Sequence, residues 1–237
     1  INLFNHNTFD NILTIYKDNI NSSEIVILVL KLIDLLTQFQ FFSFFNNFIL
    51  LSEVISITYS SYSDNFFIIN QITLILQNIF IQHSGNDEKL QLLKIIFTQI
   101  ELYFQRKDIM LFLLDSLSYI IKFYSENVKD YFNLAIQCFS HKLSDEIIIS
   151  VTSLLYKVIK HKNTITDEEQ VLELITAFYE KVEKSTNREI LLNFIKYMSI
   201  ICQYSFLTKE IISHYFLFIC NKIKELSLTG NYNALAG

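Results

Sequence analysis

The 237-residue sequence contains no proline, no tryptophan and only three glycines, at positions 85, 230 and 237. Proline and glycine mark β-hairpins and tight active-site loops, so their scarcity favours packed helices. The phosphate-binding loops of many nucleotide enzymes need several closely spaced glycines, which these three positions do not provide. Nucleotide enzymes of those classes are therefore excluded.

Cysteine is also scarce, and Cys138, Cys202 and Cys220 each lie in an apolar stretch. An odd number of cysteines in such places does not form a disulfide framework, which favours a reducing, intracellular compartment. We expect the cytoplasm, with nuclear or cytoskeletal association as alternatives. No signal peptide is visible, and because the first residue is Ile we expect the native N-terminus to lie further upstream.

No pattern typical of a metal site or a catalytic nucleophile is present. Cys138 and His141 are close in sequence, but no second pair with zinc-site spacing accompanies them. The sequence has no GxSxG turn, and no cysteine lies beside glycines that would form an oxyanion hole. We therefore predict no metal, no cofactor, no small-molecule substrate and no enzymatic activity. A small helical enzyme that follows no known motif is the remaining catalytic alternative.

Charge is sparse and slightly acidic, with 19 basic and 24 acidic side chains. Residues 1 to 86 hold two lysines against six acidic residues, and neither half of the chain is cationic, so no nucleic-acid partner is predicted. The apolar run 66 to 81 is interrupted repeatedly by Asn, Gln and Thr side chains. Because a membrane-spanning helix needs about 20 mostly apolar residues, membrane insertion is not predicted.

The residues that abound are apolar and aromatic. Apolar side chains make up 51% of the chain and charged ones 18%, which is enough to bury a large core. The 22 Phe and 13 Tyr have AT-rich codons, whereas the scarce glycine and proline have GC-rich ones. This bias predicts an AT-rich genome.

A repeated pattern divides the chain into two families of segments. In the first family, a polar residue is followed by three apolar residues, and apolar side chains continue at helical spacing. These B helices begin at Glu24, Asn65, Asp108, Glu146 and Glu189. Between them lies a second family, the A helices, with an apolar column that recurs about every 40 residues, a period typical of helical repeats. That column consists of Leu51, Leu93, Phe132, Leu172 and Ile212.

Helix-start signals agree with this division. Thr166 to Glu169 and Thr186 to Glu189 both fit the capping box, in which a hydroxyl and a carboxylate satisfy the free amides at a helix N-terminus. Ser144 is a further predicted cap. The sequence predicts helix pairs followed by a single A-type helix. Their expected ranges are 8 to 38, 46 to 82, 87 to 124, 128 to 161, 167 to 203 and, for the single helix, 207 to 227.

A period of about 40 residues with two helices per unit resembles the HEAT and armadillo class of α-solenoid. The resemblance covers residues 8 to 227. It implies an all-α, right-handed solenoid of about five and a half antiparallel helix pairs, forming one domain over residues 1 to 228 with a flexible tail at 229 to 237. Solenoids need polar capping repeats, which are not evident at either end, so we expect the chain to belong to a longer solenoid.

Solenoids expose a long continuous surface that suits protein recognition. The predicted function is that of a non-enzymatic protein-binding scaffold or structural subunit of a larger intracellular assembly. The alternative is a segment of a nuclear-transport receptor of the importin-β or exportin kind. The expected protein interfaces are a low-charge aromatic stretch between the first two helix pairs and the last helix, which no predicted helix covers. For the first stretch, interface and internal packing remain open. The candidate residues are Phe41, Phe42, Phe44, Phe45 and Phe48 in the first stretch, and Ile212, Tyr215, Phe216 and Ile219 in the last helix.

Overall fold

The computed structural model describes residues 6 to 38, 48 to 82, 86 to 122, 128 to 161, 167 to 204 and 207 to 228. Within these ranges the chain is all-helical, with eleven α-helices and no strand. It divides into two compact units, residues 1 to 124 and 125 to 237. The predicted tail at 229 to 237 lies outside the described residues.

The first unit has six described helices, which pack in an alternating order. They are α1 (His6–Asp18), α2 (Ser23–Gln38), α3 (Phe48–Ser61), α4 (Phe66–Gln82), α5 (Asn86–Leu102) and α6 (Lys107–Ile120). Helix α1 packs on α3 and α3 on α5, while α2 packs on α4 and α4 on α6. Consecutive helices also contact each other within the pairs α1 with α2, α3 with α4 and α5 with α6.

The second unit follows the same order with five described helices. They are α7 (Val128–Ser140), α8 (Asp145–His161), α9 (Glu168–Lys184), α10 (Arg188–Ile201) and α11 (Lys209–Leu228). Helix α7 packs on α9 and α8 on α10, and α11 contacts α10. Each unit thus stacks odd-numbered helices on odd and even-numbered helices on even.

The predicted B helices are the even-numbered helices, and each begins within one residue of its predicted start. The predicted A column supplies the core of the earlier odd-numbered helices, because Leu51, Leu93 and Phe132 are buried. Leu172 in α9 is more than a third exposed, and Ile212 in α11 is half-buried. The column residues are therefore part of the core in α3, α5 and α7, and they are partly exposed in α9 and α11.

The predicted helix cap at Thr186 is wrong, whereas Ser144 does lie directly before α8 but makes no side-chain cap bond. The cap of α10 is Asn187, whose side chain accepts a hydrogen bond from the Glu189 amide, and the Ser144 hydroxyl is buried without a hydrogen-bond partner. At α9 the cap is Asp167, which accepts from the Gln170 amide, while the predicted Thr166 lies outside the described residues. Asp and Asn compete well with threonine for this position, so the adjacent Asx residue is used at both helices.

Candidate protein-interaction surface

The two predicted interface stretches fall differently with respect to the described residues. Phe41, Phe42, Phe44 and Phe45 lie outside them, and Phe48 is the first residue of α3, with its side chain also outside the description. The four residues predicted in the last helix all lie on α11. The first candidate surface described below therefore lies on α11, in the second unit.

One face of α11 packs against α9 and α10 through aromatic rings. The Phe218 ring centroid lies 4.4 Å from that of Tyr179 on α9. The Tyr215 ring lies 5.6 Å from Tyr179 and 6.2 Å from Phe194 on α10, both in edge-to-face geometry. Such pairs stabilise packing beyond their buried area. Tyr215, predicted as an interface residue, is thus turned largely into this aromatic contact.

Two cations fix the C-terminal half of α11 to its neighbours. The Lys222 side chain is almost fully buried, and its Nζ donates to the Glu183 carbonyl at 2.9 Å and to Glu225 Oε1 at 3.1 Å. Arg188 donates from a guanidinium nitrogen to the Leu226 carbonyl at 3.2 Å, close to the end of the helix. Cations near a helix C-terminus are electrostatically favourable. These bonds fix the helix rotation, and with it the face left uncovered.

One side of α11 carries an apolar stripe that is only partly covered. It consists of Ile212, Phe216, Ile219 and Ile223, which we call the α11 stripe. Phe216 is 67% exposed, Ile223 is about half exposed, and the other two are half-buried. Successive members stand at alternating i+4 and i+3 positions, so they share one side of the helix. Three of the four residues predicted in this helix therefore lie on one continuous surface.

A second apolar surface, in the first unit, was not predicted from the sequence. It consists of Leu28, Leu32 and Leu35 on α2, which we call the α2 stripe. Leu28 is 66% exposed, and the other two are exposed to lesser degrees. The sequence carried a signal for it, since α2 is apolar around most of its circumference between residues 25 and 36. A helix with such a wide apolar arc needs cover on more than one side.

A polar cleft of about 350 Å³ lies between the α7–α8 turn and the end of α9. Its lining includes His141, Lys142, Asp145, Lys181 and Lys184. Lys181 Nζ lies 3.5 Å from the His141 carbonyl, and burial is the main cause that lowers the pKa of this lysine. Cations and carboxylates are mixed in this cleft, and Lys184 is paired with Glu180 at 3.7 Å.

The thiol near this cleft is not activated. Cys138 is buried in α7, and burial raises the pKa of its thiol to about 12, with Lys181 acting weakly in the opposite direction. A thiolate is the reactive form of cysteine. At neutral pH Cys138 therefore stays protonated and behaves as a small apolar core residue.

Two further properties of the described residues bear on the predictions. Across the six described ranges, no group of three or more His, Cys, Asp or Glu side chains could hold a metal ion. Over the same part of the chain, no helix has the length and apolar character needed to cross a membrane.

Comparisons with protein-family models, with curated proteins and with solved structures found no match to this chain.

Proposed function

We propose that this chain is a right-handed, HEAT/armadillo-like α-solenoid with a period of about 40 residues. In this proposal it acts as a non-enzymatic protein-binding scaffold, or as a structural subunit of a larger intracellular assembly. Support for the architecture comes from the alternating packing, in which every second helix stacks within each unit. Such nearest-neighbour stacking is the defining property of solenoid repeats.

Hydrogen bonds between stacked helices support the proposed period. The Tyr16 and Thr58 hydroxyls, 2.7 Å apart, are separated by 42 residues in the sequence. Gln77 bonds to Ser116 over 39 residues, and Asn193 bonds to Thr152 over 41 residues. The same separation thus recurs in both units, between odd-numbered and between even-numbered helices.

The observation that carries the functional proposal is the α11 stripe. It combines a fixed helix orientation with an exposed phenylalanine and neighbouring isoleucines that share one side of the helix. Aromatic and apolar residues that lack charge form the cores of protein interfaces. A buried aromatic anchor at the centre of such a patch often contributes most of the binding energy. Phe216 is the expected anchor.

A quantitative pull-down from native lysate tests this proposal. The baits are the wild-type chain, Phe216→Asp and Leu217→Asp, with mass spectrometry as the readout. Leu217 is a matched control because it is 62% exposed on the same helix and lies about 100° around the helix axis from Phe216. We expect Phe216→Asp to lose a stoichiometric set of structural proteins that the wild type and Leu217→Asp both retain, while all three baits give the same circular dichroism.

Two results would contradict the scaffold proposal. Capture that is identical for the three baits would show that the α11 stripe is not the binding surface. The captured proteins could instead be a small GTPase with diverse cargo, in amounts that change when the GTP form of the GTPase is added. That result would favour a nuclear-transport receptor.

A further inference from the structure

Hydrogen bonds join the C-terminal ends of neighbouring odd-numbered helices in the first unit. The Tyr62 hydroxyl, directly after α3, donates to the carbonyl of Ile20, two residues beyond α1. The Tyr103 hydroxyl, directly after α5, donates at 3.2 Å to the carbonyl of Tyr59, in the last turn of α3. Carbonyls in the last turn of a helix have no partner within that helix. The next odd-numbered helix in the stack thus supplies a donor to the end of the one before it.

The second unit has the same arrangement with lysine in place of tyrosine. Lys222 of α11 donates at 2.9 Å to the carbonyl of Glu183, in the last turn of α9. Lys181, two residues before Glu183, has its Nζ 3.5 Å from the carbonyl of His141, directly after α7. The sequence separations are 39 and 40 residues here and 42 and 44 residues in the first unit. The contact therefore belongs to the stacking of the helices and not to one type of side chain.

The end of α3 takes part in both bonds of the first unit. Its Tyr59 carbonyl accepts from the end of α5, and Tyr62, three residues later, donates to the end of α1. A further bond lies beside them, since the Tyr16 hydroxyl of α1 is 2.7 Å from the hydroxyl of Thr58. Hydrogen-bonded side chains that form a contiguous network can carry coupling between distant elements. The end of α3 therefore connects the end of α5 to the end of α1.

The bond between α5 and α3 is shielded from solvent. Tyr103 is only 5% exposed and Tyr59 only 1% exposed. Loss of the Tyr103 hydroxyl would leave the Tyr59 carbonyl without this donor in a place that water does not readily reach, which is costly. Arg106 also donates to Asp64 at 3.1 Å between the same two turns, but the Asp64 side chain is 96% exposed. Such an exposed ion pair contributes little.

We propose that the C-terminal ends of α1, α3 and α5 form a hydrogen-bonded relay, in which loosening the end of one helix loosens the end of the helix before it in the stack. Through this relay a change at α5 reaches α1 by way of α3, which packs on both. The relay is a conformational device of the stack itself and needs no partner on the α11 stripe. It therefore stands apart from the proposed protein binding.

Hydrogen exchange measured by mass spectrometry on the full-length chain tests the relay. The variants are Tyr103→Phe, Tyr62→Phe and the two together, since each substitution removes one hydroxyl and keeps the ring. Tyr119→Phe, at an exposed tyrosine of α6, is the control. Exchange is compared at the end of α3 (58 to 64), at the end of α1 (17 to 22) and, as the internal reference, within α2 (26 to 34).

We expect Tyr103→Phe to accelerate exchange about fivefold at 58 to 64, which is the effect of one lost hydrogen bond. The relay predicts a further acceleration of about twofold at 17 to 22, two odd-numbered helices away from the substituted residue. Tyr62→Phe should accelerate exchange at 17 to 22 about fivefold. In the double variant the acceleration at 17 to 22 should be smaller than the product of the two single effects, because both substitutions interrupt one path. The reference segment in α2 should not change in any variant, and Tyr119→Phe should match the wild type at all three segments.

Four outcomes would overturn the relay. Acceleration confined to 58 to 64 in Tyr103→Phe would show separate helix ends, and no change there would show that the bond does not order the end of α3. Equal acceleration in all segments, including α2, would indicate general destabilisation. Multiplicative effects at 17 to 22 in the double variant would indicate two independent paths. None of these results bears on the lysate experiment, which depends on Phe216, so the relay and the proposed function can fail separately.

Discussion

Two buried tyrosines of the first unit, Tyr16 and Tyr59, need hydrogen-bond partners for their hydroxyl groups. Thr58 Oγ1 donates to the Val54 carbonyl at 2.6 Å, so the Tyr16 hydroxyl acts as donor in its 2.7 Å bond to Thr58. The Tyr59 hydroxyl makes an equivalent 2.8 Å bond to Thr73, whose hydroxyl donates to the Ile69 carbonyl. Burial raises the pKa of Tyr16 to about 12 and raises the pKa of Tyr59 further. Both rings can therefore occupy the core only as neutral phenols.

This requirement predicts a loss of stability at alkaline pH. An unfolded tyrosine ionises near pH 10, whereas Tyr16 in the folded protein keeps its proton until about pH 12. The unfolded state therefore binds fewer protons in that window, and the free energy of unfolding falls as pH rises from about 10 to 12. Urea unfolding at several pH values measures this slope.

Substitution at Tyr16 isolates its part of the alkaline effect. Tyr16→Phe should show a shallower decline above pH 10, and at neutral pH it should cost about 1 kcal/mol for the lost hydrogen bond. Tyr119→Phe, at an exposed tyrosine of α6, is the control and should keep the wild-type slope. Equal slopes for Tyr16→Phe and the wild type would contradict the role of burial at this residue.

At the scale of the helices, amide and hydroxyl side chains join the stacked even-numbered elements. Gln77 of α4 donates to the Ser116 hydroxyl of α6 at 2.8 Å, and Asn193 of α10 donates to the Thr152 hydroxyl of α8 at 2.9 Å. Each hydroxyl in turn donates to a carbonyl of its own helix. Each hydroxyl thus donates one hydrogen bond and accepts another, and the pair joins two stacked helices without a charge.

Polar anchors help to hold helix α11 against the earlier helices of its unit. It contacts α10 and, through aromatic rings, α9, and Lys222 donates to the Glu183 carbonyl of α9 and to Glu225 within α11. Lys222→Met keeps an unbranched apolar stem but leaves the Glu183 carbonyl without this donor. We expect a local loss of about 1 to 2 kcal/mol. Hydrogen exchange measured by mass spectrometry should show faster exchange across 209 to 228.

The comparison within the same experiment is helix α8, which packs on α7 and α10. The hydrogen bonds of Lys222 go to α9 and to its own helix. Its exchange should be unchanged in Lys222→Met. Uniform acceleration in α8 and α11 would mean that the substitution destabilises the whole unit, and that Lys222 is not a local anchor.

The helices could be predicted from the sequence alone, but the polar contacts between them could not. Hydrophobic periodicity located the starts of the even-numbered helices to within one residue, because apolar burial on one side determines where such a helix must begin. The amide and hydroxyl pairs occur at different offsets in each repeat, so no sequence period reveals them. Three members of the α11 stripe were predicted as interface residues because no helix was predicted after residue 227 to cover them. The α2 stripe was missed because a helix that is apolar around most of its circumference resembles a fully buried one.

At the scale of the whole chain, the two compact units each have their own core. In the first unit the core includes Leu93, Leu113 and Leu117, and in the second it includes Leu174 and Phe194. A unit with its own core is expected to fold independently. The fragments 1 to 124 and 125 to 237 should therefore each show helical circular dichroism and a cooperative thermal transition.

The contrasting cut is at residue 82, inside the first unit. It separates α4 from α6, which pack on each other, and leaves Gln77 without Ser116. The fragment 1 to 82 should melt at a lower temperature and less cooperatively than 1 to 124. If both fragments melt at the same temperature and with the same cooperativity, the boundary at residue 124 does not mark an independently stable unit.

The nearly constant sequence separation of the bonded residues also has a consequence for the time at which the protein folds. Tyr16 can find Thr58, and Tyr62 can find the Ile20 carbonyl, once a short length of chain beyond the first partner exists. Contacts that are this local in sequence make folding fast, because no large loop must close first. On the ribosome, each new pair of helices can therefore settle onto the one made just before it, while the rest of the chain is still being translated.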